Sequence, residues 1–166
     1  MEKIYETAYA KINLGLDVLG KRSDGYHEVR MVMQSVGLSD AVEIEEGEGL
    51  VVETDHSGLA GGPDNLAWKA AELLARCCGK IPNVHIRLNK KIFLAAGLAG
   101  GSSDAAAVMR GLSRLWQLDL TAPELEKLAA ELGSDIPFCI TGGTALAEGR
   151  GEILTELPEA PELLLV

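Results

Sequence analysis

The chain has 166 residues, enough for one domain with a sizeable core, and its 47 % hydrophobic and 24 % charged content is that of a folded protein. Twenty-five acidic residues against fifteen Lys and Arg give a net charge of −10, which argues against a general nucleic-acid binder but leaves a local site for a small anion open. Three cysteines form neither a disulfide framework nor a paired metal spacing, no apolar run reaches about 18 residues, and MEKIYETAYAKINLGLDVLG lacks a signal core, so a cytoplasmic protein away from membranes is expected.

Residues 4–19 read as extended structure, closed by a turn over 20–25, where GKRSDG is dense in turn formers. HEVRMVMQSVGL and AVEIEEGEGLVVET continue as strands, the second turning back on itself near 46–49. LAWKAAELLARCC places Leu66, Ala70, Leu73, Leu74 and Cys77 on one helical face. NVHIRLNKKI alternates Val84, Ile86 and Leu88 with His85, Arg87 and Asn89, a half-buried strand. A second helix carries Ala105, Val108, Met109, Leu112, Leu115 and Trp116 inward, with Arg110, Ser113, Arg114 and Gln117 outward, and Ser102, Ser103 and Asp104 are good helix starters. PELEKLAAEL predicts a third helix, capped by Thr121 and stopping at Gly133. GSDIPFCITGGTALAEGRGEI follows with a loop, a short helical turn and a Gly-rich strand region. No repeat, low-complexity tract or linker interrupts the chain.

Three stretches could carry chemistry. In GLAGGSSDAA a strand runs through a glycine-rich loop into a helix start, where free N–H groups and the helix dipole can hold an anion, most often phosphate. The plain alternative is a tight strand-to-helix turn. The loop is neither a Walker A motif, since no Gly-Lys-Ser/Thr follows, nor a dinucleotide fingerprint, since Ala99 breaks the Gly-x-Gly step. Gly100 is expected to leave room for a phosphate and to allow a positive φ. Lys11, in AYAKINLGL, either points to solvent from an edge strand or aims a cation into a site. Asp135, in GSDIPF, either caps a helix with Pro137 in its first turn or serves as a functional acid.

In that order, TAYAKINLGL, GLAGGSSDAA and GSDIPF resemble the GHMP kinases, the superfamily of galacto-, homoserine, mevalonate and phosphomevalonate kinases. KINLGLDVLGKRSDGYHEVRMVMQSVGL, GPDNLAWKAAELL and LGSDIPFCITGGTALAEGRGE are most similar to its 4-diphosphocytidyl-2-C-methyl-D-erythritol kinase family, of non-mevalonate isoprenoid synthesis. The resemblance covers essentially all 166 residues. It implies an α+β fold of the ribosomal-protein-S5-domain-2-like kind, a mixed β-sheet with packed helices. It also implies ATP and Mg2+ as cofactors and 4-diphosphocytidyl-2-C-methyl-D-erythritol as the substrate phosphorylated on its 2-hydroxyl.

The same resemblance implies roles for positions. Lys11 and Asp135 match the catalytic pair: Asp135 accepts the proton of the attacking hydroxyl, and Lys11 steadies the charge on Asp135 and on the transferring phosphoryl group. Leu94, Ala95, Ala96, Gly97, Leu98, Ala99, Gly100, Gly101, Ser102 and Ser103 match the nucleotide loop, with Ser103 as a phosphate or magnesium contact. Asn65 and Lys91 fall where the family lines the adenine pocket. Asn13, Tyr26 and His27, with Lys11 and Asp135, match the substrate site, the aromatic ring stacking on cytosine.

Two departures stand out. Phe93 occupies the place where the family usually has proline, which keeps the apolar character and loses the fixed φ. The family also has a second, C-terminal domain with its own glycine-rich loop, whereas PELLLV ends this sequence where that domain's first strand is expected. Residues 1–166 are therefore expected to be the N-terminal domain, with LLLV as an unpartnered apolar strand. The competing readings are another GHMP kinase of the mevalonate kinase kind, which DGYHEV disfavours, and a nucleotide-binding fragment without turnover.

Overall fold

A computed structural model describes residues 3–162 together with Leu164 and Leu165. Its frame is one long hairpin: β1 (Lys3–Lys21) and β2 (His27–Glu46) pair antiparallel along nearly their whole length. The turn between them is built as the turn formers dictate, with Gly25 at φ 88° and the Asp24 carboxylate accepting the Tyr26 N–H at 3.1 Å. On its other edge β2 is shared. Its first half pairs antiparallel with β5 (Thr144–Gly149), which in turn pairs with β6 (Ile153–Glu156). Its second half pairs antiparallel with β4 (Val84–Asn89), and β4 pairs parallel with β3 (Leu50–Thr54). The sheet order β3-β4-β2-β5-β6, with β1 beside β2, is the mixed sheet expected of an α+β domain.

The chain does turn near 46–49, but β3 does not fold back on β2 as expected, because β4 takes the place between them. Bonds from Gly47 N–H to Asn83 O (3.0 Å) and from Val84 N–H to Gly49 O (2.9 Å) tie the turn to the start of β4. β4 carries the fully covered Val84 and Ile86 and the nearly covered Leu88, so it gains most from a strand on each side.

Four helices pack on the sheet: α1 (Leu66–Cys78), α2 (Gly100–Leu115), α3 (Ala122–Ala129) and α4 (Ile136–Thr141). Of the expected inward face of α1, Ala70, Leu73 and Leu74 are buried and are joined by Ala67, Ala71 and Ala75, while Leu66 is half-buried and Cys77 is exposed. Alanines let α1 approach the alanine run Ala105, Ala106 and Ala107 of α2 closely, so the small side chains take the interface. α2 begins two residues before Ser102, and Ser113, expected outward, is covered. This helix is surrounded by β1, β2, α1 and α4, which leaves it little solvent-facing side. Thr121 caps α3 through a capping box with Glu124, but the helix ends at Ala129, short of Gly133.

One core lies between the sheet, at Val42, Ile44 and Ile86, and the helices, at Leu74, Val108, Met109 and Leu112. A smaller one gathers Met31, Met33, Ala145 and Ala147 under Phe138 of α4. The outer edge of β1 is not left bare. The carbonyls of Tyr5 and Thr7 accept from Arg114 (3.1 Å) and Arg110 (2.9 Å), and the Tyr9 carbonyl accepts from the Ser103 hydroxyl (2.5 Å). Glu6 binds both arginines, so α2 is clamped to this edge.

Beyond β6 the chain has no strand among the described residues, although LLLV was expected to form one. Leu164 and Leu165 have no ladder partner, and Leu163 and Val166 lie outside the described residues. Among the described residues, no helix is long and apolar enough to cross a membrane.

Candidate active site

Lys11 is the first residue the fold redirects. Tyr9 pairs with Ser39 and Lys11 with Ser35, so residues 36–38 of β2 face Ala10 alone. In a regular strand Lys11 would point the same way as the exposed Tyr9. The bulge turns it inward, and its side chain is only 7 % exposed. There its ammonium lies 3.3 Å from an Asp135 carboxylate oxygen and 3.3 Å from Asn13 Oδ1. Asp135 precedes α4 with φ −84° and ψ −18°, and its side chain makes no capping bond. Asp135 thus occupies the N-cap position with Pro137 in the first turn, as one reading of GSDIPF expected, but its carboxylate is not spent on the cap and is available to Lys11. Behind this pair the Cys139 thiol is pushed up to about 12, by burial first and by the charge of Asp135 second, so it stays protonated at neutral pH.

The glycine-rich loop reaches the same place. The backbone N–H of Lys11 donates to the Leu98 carbonyl at 3.1 Å, tying the loop to the catalytic candidate itself. Residues 93–97 are exposed, and positive φ occurs at Ala95 (54°), Gly97 (76°) and Ala99 (56°). Gly100 is not a positive-φ position. It opens α2, and a Cβ there would lie 3.0 Å from the Ile92 side chain, so its missing side chain makes room for packing behind the loop. The expectation of a positive φ at Gly100 is thus corrected to Ala99, the residue that turns the chain into the helix. By helix geometry the N–H groups of Gly100, Gly101 and Ser102 have no acceptor inside α2, and Gly101 is exposed. Such a helix start suits an anion. Ser103, in contrast, is buried and spends its hydroxyl on the Tyr9 carbonyl, so it fastens α2 to β1. Among the described residues no group of three or more His, Cys, Asp or Glu could cage a cation.

The other expected residues lie around this centre at differing distances. Asn65 caps α1: its Oδ1 accepts the Ala67 N–H at 2.8 Å and its Nδ2 donates to the Ala60 carbonyl at 2.8 Å. The side chains of Lys91, Leu94, Ala95 and Ala96 are exposed along the loop's entry. Tyr26 and His27 are exposed at the hairpin tip, and His27 is six residues along β2 from Met33, the partner of Asn13, roughly 20 Å at strand rise. The turn after β5 bridges that gap. Arg150 sets its guanidinium 5.0 Å from the Tyr26 ring centroid, and a Cβ on Gly151 would come within 3.8 Å of Ser134, the neighbour of Asp135. A hollow of about 480 Å³ starts at Ile12 and runs along residues 34–38 and 160–162, so it touches the neighbour of Lys11 but not the loop.

Three charged residues escaped the reading of the sequence, Asp40, Lys90 and Arg150, and Asp104, expected as a helix starter, is instead buried inside α2. Two had a visible signal. Lys90 continues the parity of Val84, Ile86 and Leu88, and Asp40 that of Val42 and Ile44, so both are charges on a buried face. In the structure the Lys90 ammonium bonds the carboxylates of both Asp40 and Asp104, all three side chains being at most 2 % exposed. Arg150 had no such signal.

Known proteins are similar to this chain in sequence and fold. The family pattern of the GHMP kinases N terminal domain matches residues 65–143. The 4-diphosphocytidyl-2-C-methyl-D-erythritol kinase of Caldanaerobacter subterraneus subsp. tengcongensis is 50 % identical over 99 % of this chain and 58 % of its own length. That of a Synechococcus species is 54 % identical over 92 % of this chain and 50 % of its own. A crystal structure of a 4-(cytidine 5'-diphospho)-2C-methyl-D-erythritol kinase superposes with a TM-score of 0.79 at 39 % identity, over 93 % of this chain and 55 % of that one. The homoserine kinase of Cytophaga hutchinsonii shares the fold, with a TM-score of 0.73 at 18 % identity over 95 % of this chain and 52 % of its own. The chain thus spans about half the length of the relatives it matches.

Proposed function

We propose that this chain, which belongs to the GHMP kinases through its N-terminal domain, is the ATP-binding and catalytic part of a cytoplasmic 4-diphosphocytidyl-2-C-methyl-D-erythritol kinase. The observation that carries the reading is the Lys11–Asp135 pair at 3.3 Å, joined by the Lys11 backbone to a glycine-rich loop at a helix start. A base and a cation next to an anion cradle are the parts a phosphoryl transfer to an alcohol needs.

In this reading Asp135 takes the proton of the substrate's 2-hydroxyl as that oxygen attacks the γ-phosphorus of ATP and ADP leaves. Lys11 lies beside both charges, and Asn13 keeps its ammonium in place. The N–H groups of Gly100, Gly101 and Ser102 hold phosphate oxygens, while Asn65, Lys91 and the 94–99 segment border the nucleotide. Magnesium, when bound with ATP, would neutralise part of the phosphate charge. Tyr26 and His27 hold the cytosine ring at the hairpin tip, so the substrate lies with its base toward that tip and its hydroxyl toward Asp135. Residues 1–166 form the N-terminal domain of this enzyme, and a second domain closes over both substrates.

The test is release of ADP by the complete protein with 4-diphosphocytidyl-2-C-methyl-D-erythritol, against mevalonate as control. Turnover with the cytidine substrate alone is expected. Turnover with mevalonate alone would move the protein to the other branch of the superfamily, and nucleotide binding without any turnover would make it a binding module.

A further inference from the structure

Both ends of the glycine-rich loop lead to one buried carboxylate. Oδ1 of Asp40, on β2, accepts the N–H groups of Lys91 and Ile92, where the chain leaves β4 for the loop. Its Oδ2 accepts from the Lys90 ammonium. The same ammonium donates to Oδ2 of Asp104 in the first turns of α2, where the loop ends. A Cβ on Gly100 would lie 3.6 Å from Lys90 Nζ, so the ammonium stands beside the first residue of the helix. Between these anchors residues 93–97 are exposed. A segment with so little burial is held in shape mainly by where its ends are fixed.

The three side chains carry two formal negative charges and one positive, and Asp104 Oδ1 has no hydrogen-bond partner. Buried ions of this kind stabilise a fold little compared with apolar groups of the same volume, and their best-attested use is to fix a register. We propose that Lys90, by bridging Asp40 and Asp104, is a positioning residue that holds the glycine-rich loop at the spacing its N–H groups need to grip nucleotide phosphates. The nucleotide half of this statement rests on the phosphate reading of the loop. The positioning half concerns this chain's own residues. A purely stabilising triad would change the melting temperature and leave the loop and its ligand selectively unaffected.

Asp104→Ala tests it in the complete protein. The variant unhooks α2 from Lys90 yet leaves the neutral Lys90–Asp40 pair and removes a buried carboxyl with an unpaired oxygen, so folding should persist. Lys90→Arg is the second variant: it keeps the charge balance, while its wider fork cannot hold the same spacing. Two readouts are taken, amide exchange across 94–102 against β4 and calorimetric Kd for ATP against the cytidine ligand. We expect loop exchange to quicken and ATP affinity to fall roughly ten- to a hundredfold, the scale set by a displaced binding group, with β4 exchange and cytidine affinity unchanged. Loop exchange and ATP affinity equal to those of the parent protein would overturn the proposal. So would joint loss of both ligands with faster exchange in β4, which marks general loosening. A parent protein that binds no ATP, with a loop still freed in both variants, would remove the phosphate reading and leave the positioning role standing.

Discussion

Asp135→Asn separates the chemistry of the site from its architecture. The substitution keeps the size of the side chain and replaces a carboxylate by an amide that cannot take a proton at neutral pH. α4 loses nothing, because Asp135 makes no capping bond. Lys11 loses a partner at 3.3 Å but keeps Asn13 Oδ1 at 3.3 Å and gains an amide oxygen in the old place. Asp135 is also 33 % exposed on its side chain, so water screens the pair, and the cost to stability should be about 1 kcal/mol or less. The cost to turnover should be far larger. A positioned general base contributes roughly 10²–10⁴-fold, which is about 3–5 kcal/mol of barrier. Steady-state kinetics in the complete protein, with ATP affinity and thermal melts on the same samples, makes the comparison. The expected pattern is a collapse of kcat with ATP binding and melting nearly unchanged. Near-parental turnover in the variant would refute the assignment of Asp135 as base, whatever happened to stability.

Tyr26→Ala should weaken binding of the cytidine ligand by about 1–3 kcal/mol if the ring stacks on the base, and calorimetry showing no loss would reduce Tyr26 to a platform for Arg150. Gly100→Val should cost roughly 1–3 kcal/mol of stability through its clash with Ile92 and should also abolish the rise in melting temperature that ATP produces; a retained rise would count against the loop as the phosphate site. Asp104 sets a pH dependence. Burial above all, opposed by Lys90, raises its carboxyl to about 7 from a starting value of 3.8, so between those values the folded chain holds a proton the unfolded chain has released. Its contribution to stability therefore falls as pH rises through that window, on the order of 1.4 kcal/mol per unit, and levels above it. Denaturant titrations of the parent and of Asp104→Asn should show the variant gaining on the parent from pH 4 to 7, and a pH-independent difference would refute the shift.

Periodicity and turn chemistry act between close neighbours in the chain, and they made most elements legible from the residues alone. The hairpin turn at Asp24 and Gly25, the alternation of β4, the Thr121 cap and the passage of the glycine-rich loop into a helix all depend on neighbours within a few residues, although the helix starts at Gly100 rather than at Ser102. Lys11, Asp135 and the glycine-rich loop were legible through their residue types and resemblance to a family, although nothing local said that they meet. Only tertiary structure decided that, through a bulge in which three residues of β2 face Ala10 and Lys11 rotates from the solvent side to Asp135. Strand order was equally invisible locally, because β4 reaches its place between β2 and β3 by pairing with residues about 40 positions away. The inward face of α1 and the covered Ser113 likewise depended on what packs beside each helix. Lys90 and Asp40 lie between these cases. Their parity marked them as charges on buried faces, but burying a charge is costly without a partner, and the partner, Asp104, stands on a helix that only the folded chain brings near.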